Sequence, residues 1–237
     1  MLRCSHVLCR VDDIRSTVEE FTGLGFSVAW GSAPEKARNA LVWFEEGPFL
    51  EFFEFPSALR ALRWPVAASF GRGMGDRLAK WASGDDGWRD VALETDDTGL
   101  ARVRETLRAA GVPVSRIFRN GRVRPDGRRV RYQLVAPRPA TLPFVVSAYD
   151  PPQRPASITH ANGATGVTAV HYGVRPEHRD GYDRLIGDDP WLRPRTAVVT
   201  GVLEVELAGL TAPLDPALVR GVALVPARST QHQENQQ

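Results

Sequence analysis

The chain is poor in two residues that usually leave clear functional traces. Of its 237 residues only Cys4 and Cys9 are cysteine, and among its 30 basic residues only Lys36 and Lys80 are lysine. Cysteines five apart on one strand point to opposite faces, so these two are not expected to pair, and a disulfide scaffold is not expected. A reduced, cytoplasmic setting fits this, as does an N-terminus, Met1-Leu2-Arg3-Cys4-Ser5, lacking the apolar core of a signal peptide. No apolar run approaches the length of a membrane span, so no membrane partner is expected. A Ser–His–Asp order, a Cys–His nucleophile pair and a P-loop are also missing, and Gly71, Gly73 and Gly75 follow no credible strand, which leaves nucleotide binding unsupported. A net charge of +2 gives no global nucleic-acid footprint. Arg119, Arg122, Arg124, Arg128, Arg129 and Arg131 do cluster around Asn120-Gly121 and Asp126-Gly127. They have the chemistry to contact phosphates, but a solvated hairpin is the simpler reading.

What is present is a repeat. His6-Val7-Leu8-Cys9-Arg10-Val11-Asp12-Asp13 runs into a helix-like stretch closed by Gly25, and Asp90-Val91-Ala92-Leu93-Glu94-Thr95-Asp96-Asp97 runs into another closed by Gly111. In each copy an alternating run, the mark of a half-buried strand, meets an Asp-Asp pair suited to capping a helix start. Glycine then provides the helix exit. The copies differ at their first position, His6 against Asp90. After the first helix come expected strands at 26–30, 40–44 and 49–55, the last two joined by the turn Glu45-Glu46-Gly47-Pro48. After the second come 112–118, the Arg-rich turns, 130–135 and 144–149. Residues 1–150 thus read as two modules of strand, helix and three strands. Segment 56–87 between them reads as helical, covering one mouth of the sheet. Residues 151–165 read as a linker, 166–227 as an incomplete third module with His171 near the place of His6, and 228–237 as a disordered polar tail.

This βαβββ order, with His6 heading the first strand and Leu50-Glu51-Phe52 in the fourth, resembles the vicinal oxygen chelate superfamily. Several strings are similar to its glyoxalase-like domain family: His6-Val7-Leu8, Gly25-Phe26-Ser27-Val28, Asn39-Ala40-Leu41, Phe49-Leu50-Glu51, Pro143-Phe144-Val145-Val146 and His160-Ala161-Asn162-Gly163-Ala164. The resemblance covers roughly residues 5–175. It implies an α+β fold in which two βαβββ modules pair and wrap a cup, with a truncated third module appended. It further implies that a divalent metal, where present, is held by the first and fourth strands of each module. Those positions are His6 and Glu51 in the first module, and Asp90 with the poor ligand Ser147 in the second. His6, Glu51 and Asp90 would leave open positions on Fe, Mn, Ni or Zn. The alternative is a metal-free cup in which His6 and Asp90 form a hydrogen-bonded polar pair.

Strand periodicity sets the expected lining. His6, Leu8 and Arg10 share a face, as do Asp90, Ala92 and Glu94; Glu51 shares its face with Phe49 and Phe53. Ser147 lies with Tyr149, and hairpin pairing brings Tyr132 opposite. Arg10, Phe53, Glu94, Tyr132, Ser147 and Tyr149 are therefore the expected substrate-binding residues, although aromatic residues there serve equally well as core. Glu51, costly to bury among phenylalanines without a partner, is the expected base, with His6 beside it. His160 is expected to anchor a loop and His171 to be a satisfied buried histidine. Glu204 and Glu206 are expected on a wet sheet face. The function expected is an enzyme, monomeric or homodimeric, acting on a small oxygenated or carbonyl-containing metabolite by lyase, isomerase or cyclase-type proton chemistry. Its rival is a metal-free protein that binds and sequesters a small molecule.

Overall fold

The computed structural model describes residues 1–228; 229–237, most of the expected tail, lie outside the described residues. In chain order the elements are β1 (Arg3–Arg10), α1 (Ile14–Gly23), β2 (Ala29–Trp30), β3 (Asn39–Val42), β4 (Phe49–Phe53), α2 (Arg63–Phe70), α3 (Arg72–Trp81), β5 (Gly87–Glu94), α4 (Ala101–Ala109), β6 (Phe118–Val123), β7 (Arg129–Val135), β8 (Phe144–Val146), β9 (Gly166–Val174), α5 (Arg179–Leu185), β10 (Leu192–Thr196), β11 (Gly201–Ala208) and β12 (Leu224–Pro226). None of these helices is long and apolar enough to cross a membrane.

The first Asp pair caps as its composition suggests. The Asp13 carboxylate accepts from the backbone N–H of Arg15 at 2.9 Å and of Ser16 at 3.1 Å, and α1 buries Ile14, Thr17 and Phe21. The second pair does not. There α4 starts later, at Ala101; the Leu100 N–H donates to Gln133 Oε1 at 3.1 Å, and Asp97 turns to Arg102 at 2.7 Å. The turn through Thr98 and Gly99 carries the chain past both aspartates before the helix begins. The strand expected at 112–118 is also displaced, because the Arg-rich stretch itself forms β6 and pairs with β7.

Eight strands form one sheet in the order β2-β3-β4-β1-β5-β8-β7-β6. β1 runs parallel to β4 and antiparallel to β5, and β5 runs parallel to β8, so the two modules join through their first strands. A second sheet has the order β10-β9-β11-β12, with β9 parallel to β10 and antiparallel to β11, and β11 parallel to β12. That is the pairing sense of β4-β1-β5-β8. The register repeats too: Glu51 stands opposite Leu8, two residues after His6, and Arg195 stands opposite Gly173, two residues after His171. The truncated third module therefore consists of two half-modules, each keeping its first and fourth strands.

Both sheets share one apolar core, in which Val7, Phe52 and Leu93 join Val170, Tyr172 and Leu207. The bulge in β1 at Ser5 places Cys4 and Cys9 together in this core rather than on opposite faces, and both thiols are free. On the other face of the large sheet, α2 and α3 fill one end of the cup, where Met74 and Trp81 pack with Leu8, Phe53 and Phe144. Segment 151–165 is tied down rather than free. Arg154 donates to the Phe44 and Gly47 carbonyls, and Asn162 Nδ2 donates to the Leu24 carbonyl at 3.0 Å. Gly25 has φ +83°, and a Cβ there would lie 2.8 Å from the Asn162 nitrogen, so only glycine fits this crossing.

Because the core is continuous, Leu207→Ala, deep in the second sheet, should cost about 2–5 kcal/mol and leave a single unfolding transition. Two separated transitions in calorimetry would show that the sheets are independent.

Candidate functional site

The unfilled end of the cup is built around β1 and β4. Parallel pairing brings His6 Nε2 to 3.3 Å from Glu51 Oε2, with side chains only 3% and 18% exposed. The His6 ring stacks on Phe49 at 4.5 Å and meets the Phe144 ring edge-on at 6.1 Å. This apolar enclosure dominates its titration. Burial lowers the His6 pKa to about 4, although Glu51 and Asp90 pull the other way, so the ring is neutral at pH 7 and the contact is not an ion pair.

Three further side chains fix this pair, and only one of them, Glu94, was expected to line the cup. Glu94, expected to line the cup, accepts from Ser5 Oγ at 2.5 Å, and Ser5 Oγ lies 3.1 Å from His6 Nδ1. Ser5 reaches this side because β1 bulges there, letting consecutive residues serve one site. Asn39 Nδ2 donates to Glu51 Oε1 at 2.8 Å; its place on the cup face of β3 follows from alternation with Leu41, which stands opposite Glu51. Tyr132 and Tyr149 also arrive, their ring centroids 5.2 Å apart. Burial, followed by the Glu51 charge, pushes the Tyr132 phenol up to about 12 and raises Tyr149 well above its ordinary value, so both stay protonated. A hollow of about 320 Å³ opens beside the pair, walled by Ser5, Trp43, Phe49, Glu94, Tyr149 and Trp191.

The other expected residues are placed elsewhere. Asp90 is on the cup face, but its carboxylate is fully engaged: Oδ2 accepts from Arg77 Nη1 at 2.5 Å and Trp81 Nε1 at 2.7 Å, while Oδ1 lies 3.2 Å from Lys80 Nζ and accepts from the Val91 N–H at 3.0 Å. It serves as countercharge to α3 and does not form the polar pair with His6. Phe53 is packed under Trp81 in the filled end. Arg10 is buried four residues beyond His6 on β1 and pairs with Asp12 at 2.7 Å. Ser147 bonds backbone, accepting from the Gln133 N–H and donating to the Ala148 carbonyl, both at 2.9 Å.

The sequence model of a family described as "Glyoxalase-like domain" matches residues 4–185. The chain belongs to that family. No curated protein matches it. Among solved structures it is similar to a hypothetical protein from Staphylococcus aureus, with a TM-score of 0.67 and 14% identity over 96% of this chain and 99% of that one. It is also similar to the Mn(II)-bound glyoxalase from Novosphingobium aromaticivorans, with a TM-score of 0.50 and 12% identity over 90% of this chain and 67% of that one. At such identities the likeness is one of fold, here the vicinal oxygen chelate type.

This glyoxalase-like domain has a second cluster of metal-ligand residue types. His171, Glu204 and Glu206 bring ligand atoms within 4.8 Å of one another in the second sheet. Glu206 is buried rather than wet, its Oε1 lying 2.6 Å from His171 Nε2. Arginines already balance these carboxylates: Arg228 lies 2.8 Å from Glu204 and 3.1 Å from Glu206, and Arg195 donates to His171 Nδ1. His160 is the loop anchor its surroundings suggested, accepting from the Ser27 N–H at Nδ1 and reaching the Trp43 carbonyl from Nε2, each at 2.9 Å.

Two outcomes follow in this glyoxalase-like domain. Asp90→Ala strands the fully buried Arg77 and should lower stability by about 3–5 kcal/mol in denaturant melts; a loss below 1 kcal/mol would mean that water reaches Arg77. For His6 the folded pKa of about 4 lies below the unfolded value of about 6.5. Between those pH values the unfolded chain binds more protons, so stability falls as pH drops through the window, by on the order of 3 kcal/mol in full. Melts of wild type and His6→Asn from pH 7 to 4 should differ by that slope, and parallel curves would mean that His6 titrates normally.

Proposed function

We propose that this protein is an enzyme that moves a proton on a small oxygenated or carbonyl-containing substrate, with Glu51 as the base and His6 as its partner. The observation that carries this reading is the approach of His6 Nε2 to Glu51 Oε2 at 3.3 Å inside an apolar enclosure. In this reading Ser5 donates its hydroxyl proton to an ionised Glu94, its oxygen takes the hydrogen of His6 Nδ1, and the neutral ring turns an unprotonated Nε2 toward Glu51 Oε2. Two lone pairs 3.3 Å apart in an apolar enclosure repel unless a positive centre comes to them.

A substrate proton supplies that centre. Asn39 holds Oε1, which leaves Oε2 to accept a proton from a carbon or hydroxyl beside the substrate carbonyl. His6 Nε2 then shares the proton, and its return to a neighbouring atom or to a leaving group gives isomerase or lyase chemistry. Tyr132 accepts from Asn120 Nδ2 at 2.9 Å, which leaves its own hydrogen free to donate to a substrate oxygen gaining charge. A divalent ion (Fe, Mn, Ni or Zn) fits the same pair of facing donors: His6 Nε2 and Glu51 Oε2 would hold it, and it would polarise a substrate carbonyl. Ser5 and Asn39 orient the two donors in either case.

The metal-free binding protein remains a second reading, supported by the withdrawal of Asp90 and by the aromatic walls Trp43, Phe49 and Tyr149. Deuterium wash-in from D2O into a panel of small 2-oxo and 2-hydroxy compounds, read by proton NMR, separates the two. Wild type should exchange at least one of them. Glu51→Gln should lose about a hundredfold or more of that rate with an unchanged melting temperature. Compounds that bind without exchanging would establish the second reading.

A further inference from the structure

The Arg-rich hairpin has no part in the chemistry above. Arg119, Arg128, Arg129 and Arg131 are exposed on it, but Arg122 and Arg124 turn inward to a hollow of about 250 Å³ whose walls include Trp30, Leu41, Trp43 and Gln153. Their charges are not equivalent. Arg124 is neutralised by Asp126 at 3.2 Å. Arg122 donates through Nη1 to the Gly31 carbonyl and through Nη2 to Gln153 Oε1, both neutral oxygens, and no carboxylate among the described residues lies within ion-pair distance of it. The hollow therefore carries one uncompensated positive charge, from a guanidinium that uses two of its five N–H groups.

This charge stands next to the Glu51 site through a continuous set of contacts. Leu41, a wall of the hollow, is the cross-strand partner of Glu51. Asn39 donates to Glu51 through Nδ2, and its Oδ1 faces the same point beside Gly31 that Arg122 Nη1 approaches: a Cβ on Gly31 would meet both, lying 2.5 Å from Nη1. The influence of Arg122 reaches His6, Tyr132 and Tyr149 as well.

We propose that Arg122 binds the carboxylate of the substrate, which makes the substrate a small 2-oxo or 2-hydroxy carboxylate monoanion with a flat or apolar body set between Trp30 and Trp43. A planar guanidinium fork matches a carboxylate, and a single unbalanced charge suits a monoanion better than a phosphate dianion. Orientation follows from charge as well. Glu51, reached from the hollow across Leu41 and Asn39, repels an anion, so the carboxylate lies toward Arg122 and the adjacent carbonyl or hydroxyl carbon toward Glu51. The inference rests on reading the His6–Glu51 pocket as the substrate site, but it is tested by binding alone.

Isothermal titration of the full chain with benzoylformate, methyl benzoylformate and inorganic phosphate at millimolar concentration tests it. Wild type should bind the acid about tenfold or more tightly than its uncharged ester, the gain expected of one charge-assisted fork, and should bind phosphate weakly. Arg122→Gln should lose that preference while the ester binds as before. Glu51→Gln should bind the acid at least as tightly as wild type, since a like charge is removed, so loss of exchange and loss of anion binding report on different residues. Equal binding of acid and ester by wild type, no binding of either, acid binding that survives Arg122→Gln, or an Arg122-dependent preference for phosphate would each overturn the proposal. The acid–ester comparison on wild type keeps the test decisive even if Arg122→Gln loosens the fold.

Discussion

The antiparallel seam between β1 and β5 is the constraint on which the site depends. It joins the two modules at their first strands and so places His6, the head of one module, at the midline of the large sheet. A regular ladder there would alternate Ser5 and His6 between the core and the cup. The bulge at Ser5 breaks that alternation, and the result is the linked set Glu94, Ser5, His6, Glu51. The two ends of this set lie on different modules, so neither module alone assembles it. The pairing of these four side chains is thus a consequence of one strand contact.

Closing one end of the cup consumed the second-module carboxylate expected at the site. α3 drives Arg77 into the cup with no solvent exposure, and a buried guanidinium needs a countercharge. Asp90 supplies it and also holds the Trp81 indole, while burial, partly opposed by Asp90, lowers Lys80 to about 8. An aspartate saturated by two cations and an indole has little left to offer a ligand. The hollow beside His6 and Glu51 is accordingly walled by Ser5, Phe49 and Glu94 and not by Asp90.

The parts of this structure that were legible in the sequence are those encoded by short-range period. The two module repeats, the Asp13 cap, the cup-facing positions of His6, Glu51 and Glu94, and the arrival of Tyr132 and Tyr149 all follow from alternation and hairpin pairing. What was not legible depended on a single irregular residue or on a long side chain. Ser5 is visible only once the bulge is known. Arg122 carries its guanidinium from the β6 edge to Gly31 beyond the opposite edge strand. Asp90 sits at its expected backbone position, yet its partners come from a helical segment whose packing no local pattern reveals. Likewise β10, a charged strand with Pro194 in it, carries little strand signature and is held by its parallel pairing with β9.

The second sheet provides an internal control for the chemistry. His171 occupies the backbone position of His6, but the residue at the Glu51 position is Arg195. Arg195 can only donate, so His171 Nδ1 must accept and its hydrogen lies on Nε2, directed at Glu206 Oε1. In the proposed site His6 takes the opposite tautomer, with its hydrogen on Nδ1 and its bare Nε2 toward a carboxylate. One frame thus carries a histidine whose two nitrogens are both satisfied and another that faces an acceptor with nothing between them. Burial is similar in the two, and so is the strand pairing; what differs is whether the neighbour two register positions along donates or accepts. That single exchange of charge makes one copy a structural clamp and, in the proposed tautomer, leaves the other with an unmet demand for a proton or a cation; this demand, rather than the fold, is what supports the proposal of His6 and Glu51 as the working pair.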